Sequence, residues 1–576
     1  MTVTTVSIRP RLPRLSRPSA LAVIGILIAA FLMMFLILPV IQVIYVAFLD
    51  PRSGALTLDN FSDFFASPLF RESFWNSLYV AAMSVVFATL IALPLAYLTT
   101  RFDFAGSAVI QSLGIIPLIM PPFVGAVAMQ LLFGRNGTVN LLLNDWFGFK
   151  IPFMEGLNGV IFVESIHYFP FILINLSASL RNIDRSMEEA AQNLGASGMR
   201  LFRRIVFPLA MPGYIAGAAL VFIKVFDDLG TPLMLNVKAM LAPQAYMRIT
   251  GVGINDPMGY VISFILIAFS VLSLWLSFLV MRGRDYATVQ KGGGGLARRQ
   301  LSPWERVAAW VVILVILGLV LAPHIGLMLL SFGTIWSFSP LPDAFTLKHY
   351  GTVFSQAGQY ITNTLLYAGG AALIDILIGT AVAYIVLRTG LPGRRWLDYL
   401  STAALAVPGV VLGIGYLRMF HGVHLPGVGP LASWWVMIMI ALAIRRLPYA
   451  LRACMAALQQ VSLSLEEAAE NLGASKARSI RRIVVPLMTG GILAGFVTSF
   501  ATAAVELSAT IMLVSGERDA PLSYGIYLFM QSPSGRGAGA ALGIIAVIIV
   551  ALATYISQRV IERDSHLRGA RPTGSH

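Results

Sequence analysis

The sequence predicts an all-α polytopic membrane protein, with about 12 transmembrane helices set as two tandem six-helix halves in pseudo-two-fold symmetry. Three observations carry this. Of 576 residues, 57% are hydrophobic and 12% charged, with a mean hydropathy of +0.78, a balance that suits a chain solvated by lipid. Apolar runs of about 20 residues, the length that crosses a hydrocarbon core, recur throughout. One polar stretch is written twice: SMEEAAQNLGASGMRLFRRIVFPL from Ser186 and SLEEAAENLGASKARSIRRIVVPL from Ser464. The offset is 467 − 189 = 278 residues with no gap. A repeat at half the chain length is a duplicated domain, not a solenoid.

Taken in order, residues 1–18 form a basic tail with Arg9, Arg11, Arg14 and Arg17. The apolar run after it is too long for a signal-peptide core of roughly 7–15 residues, so it reads as a retained first helix. Within a first half, 19–281, spans are expected near 19–48, 76–100, 108–133, 158–179, 213–236 and 259–281. Within a second half, 306–560, they are expected near 306–334, 363–387, 396–420, 432–455, 490–514 and 536–560. The linker 282–305, with its four glycines and its charge, reads as flexible and cytoplasmic. Residues 561–576 read as a second cytoplasmic tail. Six plus six helices put both termini on one side, and Arg559, Arg563 and Arg568 agree with the inside. Both copies of the repeated stretch then lie inside as well. The net charge of +14 is accounted for by this positive-inside bias and does not call for nucleic acid.

Outside the membrane, segments 49–75 and 335–362 correspond. TLDNF at Thr57 and TLKHY at Thr346 hold matching places, and the helices that follow open Asn-Ser-Leu at Asn76 and Asn-Thr-Leu at Asn363. These segments are candidates for docking an external delivery protein. Pro117, Pro121 and Pro122 in the third span, and Pro408 in the ninth, free backbone groups that neighbours or water must satisfy. They are expected to kink or break their helices.

Within the repeated stretch, Glu-Glu-Ala-Ala followed by Asn-Leu-Gly predicts a short helix with a glycine stop at Gly195 or Gly473. Ser186 with Glu189, and Ser464 with Glu467, have capping-box spacing. A second short helix carries Arg200, Arg203 and Arg204, or Arg478, Arg481 and Arg482, and is expected to end at Pro208 or Pro486. The pattern E-A-A, three residues, G, nine residues, I-x-[LFV]-P resembles the EAA loop of bacterial ABC importer permeases. Glu189-Ala190-Ala191, Gly195, Ile205 and Pro208 fit it; so do Glu467-Ala468-Ala469, Gly473, Ile483 and Pro486, with Phe207 and Val485 replacing the usual Leu.

Two such loops in one chain resemble the fused permeases of ferric iron, thiamine and phosphonate importers. The resemblance implies a bacterial inner-membrane subunit and two copies of an ABC ATPase docking on the loops, with ATP and magnesium held by that partner. It implies an external, periplasmic solute-binding protein too. The coupling residues it implies are Glu188, Glu189, Ala190, Ala191, Gly195 and Pro208, and Glu466, Glu467, Ala468, Ala469, Gly473 and Pro486. The segment FDDLGTPLML followed by LAPQAYMRITG looks closest to the phosphonate type, with the ferric type beside it and thiamine or polyamine behind.

Ionisable residues inside a membrane are costly, and each one present is a functional candidate. The fifth span carries Asp227 and Asp228, and the shift of 278 places Glu506 opposite Asp228. Both halves thus hold an acid at one point, either lining a path or capping a helix end. The fourth span holds Glu164, His167 and Tyr168, and the shift places Arg445 opposite His167, followed by Arg446. These opposite charges are expected either to pair across the halves or to attract an anionic solute through the arginine fork. No His/Cys/Asp spacing suggests a metal site, and the single cysteine, Cys454, excludes an intrachain disulfide. No G-x-x-x-x-G-K-[ST] occurs, so the chain shows no phosphate loop of its own. The alternative is a two-repeat, proton-coupled secondary transporter using these acids and His167. A membrane enzyme built on Asp227-Asp228 would need the helix to break there, because neighbours on a helix point about 100° apart and cannot form a facing carboxylate pair.

Overall fold

The computed structural model describes residues 20–103, 106–282, 300–336, 338–427 and 429–569. The expected tail 1–18, most of the linker 282–305 and the chain end beyond 569 lie outside the described residues. Among the described residues, eight helices are long and apolar enough to cross a membrane: Ala20–Ala47, Pro68–Arg101, Gly156–Arg181, Gly198–Phe226, Pro257–Val280, Pro303–Phe332, Gly358–Arg388 and Arg536–Val560. Three more segments qualify only as bent pairs, which raises the count to 11. The remaining expected span, Trp435–Gln459, is a 25-residue helix carrying Arg445, Arg446 and Arg452, and it is not among them. The last helix runs on to Gly569, so the expected tail from 561 begins as helix. A two-residue antiparallel ribbon, His424–Leu425 with Gly429–Pro430, is the one strand pair among the described residues, beside the isolated bridges Leu49–Leu56 and Gly333–Phe345.

Prolines set the bends. The third span breaks between Ser107–Ile119 and Pro122–Phe147 by 103°, and the ninth between Arg394–Ala406 and Gly409–Phe420 by 106°. The spans expected at 108–133 and 396–420 are thus each broken at their prolines, as the sequence predicts. The residue before a proline is pushed out of the helical region. Met120 and Val407 are accordingly extended, as are Pro121 and Pro408.

Pro208 behaves otherwise. It does not end a helix but sits in the first turn of Phe207–Phe226, continuous with Gly198–Leu201 through a π-turn at Phe202–Val206. Proline lacks one N–H, and the wider i→i+5 turn, closed by Phe207 N–H to the Phe202 carbonyl, re-registers the ladder just ahead of it. The second copy repeats the π-turn at Ile480–Val484, but its helix bends by 70° at Met488.

The two halves interlock. Helix Ala20–Ala47 packs on the last helix of its own half, Pro257–Arg282, and on Gly409–Phe420 of the other half. The Tyr416 hydroxyl donates to the Phe35 carbonyl at 2.7 Å across that contact. Reciprocally, Pro303–Phe332 packs on Arg536–Gly569 and on Pro122–Phe133. The body of each half is a three-helix cluster: Pro68–Arg101, Gly156–Arg181 and Phe207–Phe226, or Gly358–Arg388, Trp435–Gln459 and Thr489–Ala504.

The outer segments fold alike. Thr57 and Thr346 hydroxyls accept the N–H groups of Asp59 and Lys348 at 3.0 and 3.1 Å, each opening a short helix. Asn76 and Asn363 then clamp the later outer loops through the carbonyls of Ala239 and Ala520, both at 2.9 Å. Beside them Ser77 and Thr364 accept the N–H groups of Leu241 and Leu522 at 2.8 and 2.7 Å. The Asn-Ser and Asn-Thr openings are therefore structural clamps, since buried loop amides must find partners.

Candidate functional site

Both copies of the repeated stretch fold the same way at the glycine. Helices Arg185–Asn193 and Leu463–Asn471 run into Gly195 and Gly473, each with φ of 84°. Each glycine N–H donates to the carbonyl of Gln192 or Glu470, at 2.8 and 2.9 Å. The next N–H, of Ala196 or Ala474, donates to that of Ala191 or Ala469, both at 2.9 Å. This is the Schellman clasp, and its left-handed residue costs any other L-amino acid about 1–2 kcal/mol.

The expected capping boxes are not present. The N-caps are Asp184 and Ser462, two residues earlier. The Asp184 carboxylate accepts the Ser186 N–H at 2.9 Å, and the Ser462 hydroxyl bonds that of Ser464 at 2.7 Å. Asp caps as well as Ser does, and the earlier start places Ser186 and Ser464 inside the first turn. A capping box does occur at Ser302 and Glu305, which opens the second half.

The adjacent glutamates diverge, as residues about 100° apart on a helix must. Glu188 is paired with Arg101. Glu466 is paired with Arg388 Nε at 3.0 Å and accepts the Tyr384 hydroxyl at 2.8 Å. Arg388 also donates to the carbonyls of Leu458, at 3.1 Å, and Val461. Arg101 and Arg388 end the second helix of each half. Glu188 and Glu466 thus tie their loops to the second helix of each half.

Glu189, Glu467, Ala190 and Ala468 are exposed; Ala191 is buried and Ala469 half-buried. Leu194 and Leu472, missed in the sequence, project bare at the loop tips with 89% and 90% of their surface exposed. The signal was the Asn-Leu-Gly present in both copies. Replacing Glu466 by Gln is expected to lower the thermal midpoint of the purified chain, by a loss of about 3 kcal/mol for an opened buried pair. Glu467→Gln is expected to leave it unchanged. Equal midpoints for the two variants, read by fluorescence-detected unfolding, would refute the anchoring role.

Deep between the halves lies a cavity of about 250 Å³, lined by residues of both. At its wall Arg445 joins the halves. Its Nη2 lies 3.0 Å from Asp227 of the first half and its Nη1 pairs with Glu506 of the second. Asp227 also accepts the Gly409 N–H, 3.1 Å from each carboxylate oxygen. A β-carbon at Gly409 would stand 2.6 Å from Arg445 Cζ, so a larger residue there would push the guanidinium aside.

Cross-half pairing is thus present, but the acid is Asp227 and not Glu164. Glu164, wholly buried, faces the Asp228 carboxyl and the Thr231 hydroxyl instead. Asp228 and Glu506 share one structural task. After the fifth span ends at Phe226, Asp228 accepts the Thr231 N–H at 2.8 Å. After its counterpart ends at Ala504, Glu506 accepts the N–H groups of Ala509 and Thr510 at 3.0 and 3.3 Å. Each acid caps the short helix beyond the break while lining the cavity. His167 reaches the cavity and faces His324 of the other half. Arg446, Lys224 and Tyr449 line it too, beside Tyr168, Thr498, Thr502 and Ser508.

Residues 84–285 and 375–566 each match the family described as binding-protein-dependent transport system inner membrane component. The chain is 30% identical over 489 residues to the ferric transport system permease protein FbpB of Actinobacillus pleuropneumoniae, covering 82% of this chain and 69% of that protein. It is 29% identical over 456 residues to a putative ferric transport system permease protein, FbpB 1, of Haemophilus influenzae, covering 77% and 70%. A molybdenum transport system permease protein, ModB, of Haemophilus influenzae matches at 34% over 157 residues, 27% of this chain and 68% of that one.

Proposed function

The chain belongs to the binding-protein-dependent transport system inner membrane components, and from that premise we propose that it forms, unaided, the membrane path of a ferric-iron importer. It is a multi-pass inner-membrane permease, a transport subunit without a nucleotide-binding domain of its own. Its family makes it the permease component of a binding-protein-dependent ABC importer. The observation that carries the finer reading is the pair of matched loops, each clasped by a left-handed glycine and tipped by a bare leucine. A leucine bared at the tip of each matched loop is offered to a partner, and two such tips in one chain suit two copies of an ATPase. Loops and both termini lie on the cytoplasmic face in this reading. The outer segments 49–75 and 335–362 face the external binding protein.

Ferric iron is favoured over an organophosphonate because two relatives matching about four-fifths of the chain are ferric permeases. The likeness of FDDLGTPLML to the phosphonate type finds no such support. A gradient-driven carrier has no use for two matched docking loops. The test is co-purification with the partner ATPase in mild detergent, read as native mass. One permease with two ATPase chains is expected. A permease that never retains ATPase, with or without nucleotide, sinks the docking assignment. Ferric uptake by the reconstituted complex with its binding protein then tests the cargo.

A further inference from the structure

The polar wall of the central cavity is not evenly satisfied. Its acids are already engaged. Asp227 is held by Arg445 and the Gly409 N–H, Glu506 by Arg445 and two backbone amides, and Asp228 by the Thr231 N–H. Both arms of Arg445 are spent on carboxylates.

The neighbouring cations differ. Arg446 is only 7% exposed, yet its Nε has no hydrogen-bond partner. Among the described residues neither Arg446 nor Lys224 has a carboxylate at ion-pair distance. Lys224 faces the Tyr449 hydroxyl, and all three side chains line the same cavity. Arg446 has Glu506 and Asp375 in its electrostatic surroundings, but a buried guanidinium whose Nε lacks an acceptor is costly, and the acceptor it lacks has a defined chemistry. It is a small oxyanion that takes the planar Arg fork on one edge and the Lys ammonium and Tyr hydroxyl on another. About 250 Å³ lies below the roughly 300–1,000 Å³ of sites for drug-sized ligands, which suits one carboxylate- or phosphate-bearing group and not a bulky chelator.

The geometry points to Arg446, Lys224 and Tyr449 as an oxyanion subsite in the translocation path, occupied either by a free anion or by an anion bound to the transported metal. The inference rests on this cavity being the path.

The experiment is equilibrium dialysis of inorganic phosphate, and separately of citrate, against the full-length chain in mild detergent. Ferric citrate is dialysed separately as the third ligand. Saturable binding of about one anion per chain is expected. Arg446→Gln should weaken it at least tenfold and Arg446→Lys, which keeps charge but loses the fork, by less. Lys224→Met should also weaken it tenfold, and stands in should Arg446→Gln fail to give a monodisperse chain. Arg135→Gln, in a separate outer pocket, should leave binding unchanged.

Binding of phosphate or citrate alone identifies a free anion as the ligand; binding of ferric citrate only identifies the metal-borne anion. No saturable binding of any of the three, or equal affinity in well-folded Arg446 and Lys224 variants, overturns the proposal. Because neither ATPase nor uptake enters the readout, failure of the importer reading appears separately, as loss of ATPase co-purification.

Discussion

Replacing Arg445 by Met is expected to destabilise the chain by about 3–5 kcal/mol, the usual consequence of removing one partner from a buried ion pair. The variant keeps most of the side chain's length and removes only its charge and donors. Asp227 and Glu506, both buried, would then confront each other with no cation between them. The loss also unfastens the halves, because Asp227 belongs to the first and Arg445 to the second. Fluorescence-detected size exclusion after a heat step reads the effect as a fall in the midpoint, with loss of monodisperse material. Arg445→Lys should lie between parent and Met, since an ammonium keeps the charge but lacks the two separated arms that reach Asp227 and Glu506. The triple variant R445M/D227N/E506Q should recover most of the loss, because no unpaired charge remains. If Arg445→Met unfolds at the parent's midpoint, the bridge is not holding the halves together.

This bridge also marks where the duplication has diverged. The first half carries His167 where the second carries Arg445, and Val505 stands where the first half has Asp227. The symmetric fold therefore holds an asymmetric charge set, with Arg445 and Arg446 from one half and Asp227 and Glu164 from the other. A path built from two identical chains cannot do this. Fusion lets each wall of the cavity be tuned alone.

What was legible in the sequence was whatever a single residue type imposes on its own backbone. Gly195 and Gly473 announced the left-handed stop, and Pro121 and Pro408 announced a break. The repeat at 278 announced two halves. What was not legible depended on competition or on packing. Ser186 lost the N-cap to Asp184, an equally good capping residue two positions earlier. Pro208 did not stop its helix because a π-turn upstream absorbed the missing donor. The partner of Arg445 was sought by symmetry, in Glu164, and found in Asp227, because the interlocked first helices and the sharp turn at Pro408 decide which side chains meet. Leu194 and Leu472 were visible in both copies, but an exposed leucine has meaning only once a surface exists for it to leave.

A Gly195→Val, Gly473→Val double variant is expected to insert and fold normally while retaining at least tenfold less ATPase. No neighbouring atom lies within 4 Å of a β-carbon built at either glycine, so bulk is not the obstacle. The penalty is the left-handed backbone itself, about 1–2 kcal/mol at each site for an L-residue. The clasp would relieve it by unwinding, swinging Leu194 and Leu472 away from their present direction. Because both tips are nearly wholly exposed, the body loses no packing, and the thermal midpoint of the chain alone should stay within a degree or two of the parent. Asn tolerates the left-handed region better than other residues with a β-carbon. The Asn double variant should therefore retain most of the ATPase, and the Ala variant should fall between Asn and Val. Each single Val variant should keep one ATPase chain and lose the other, which native mass resolves directly. A ranking by side-chain size in place of left-handed tolerance would mean the loop tips press on the partner. Full retention and normal ATP-driven uptake in the double Val variant would mean these loops do not seat it.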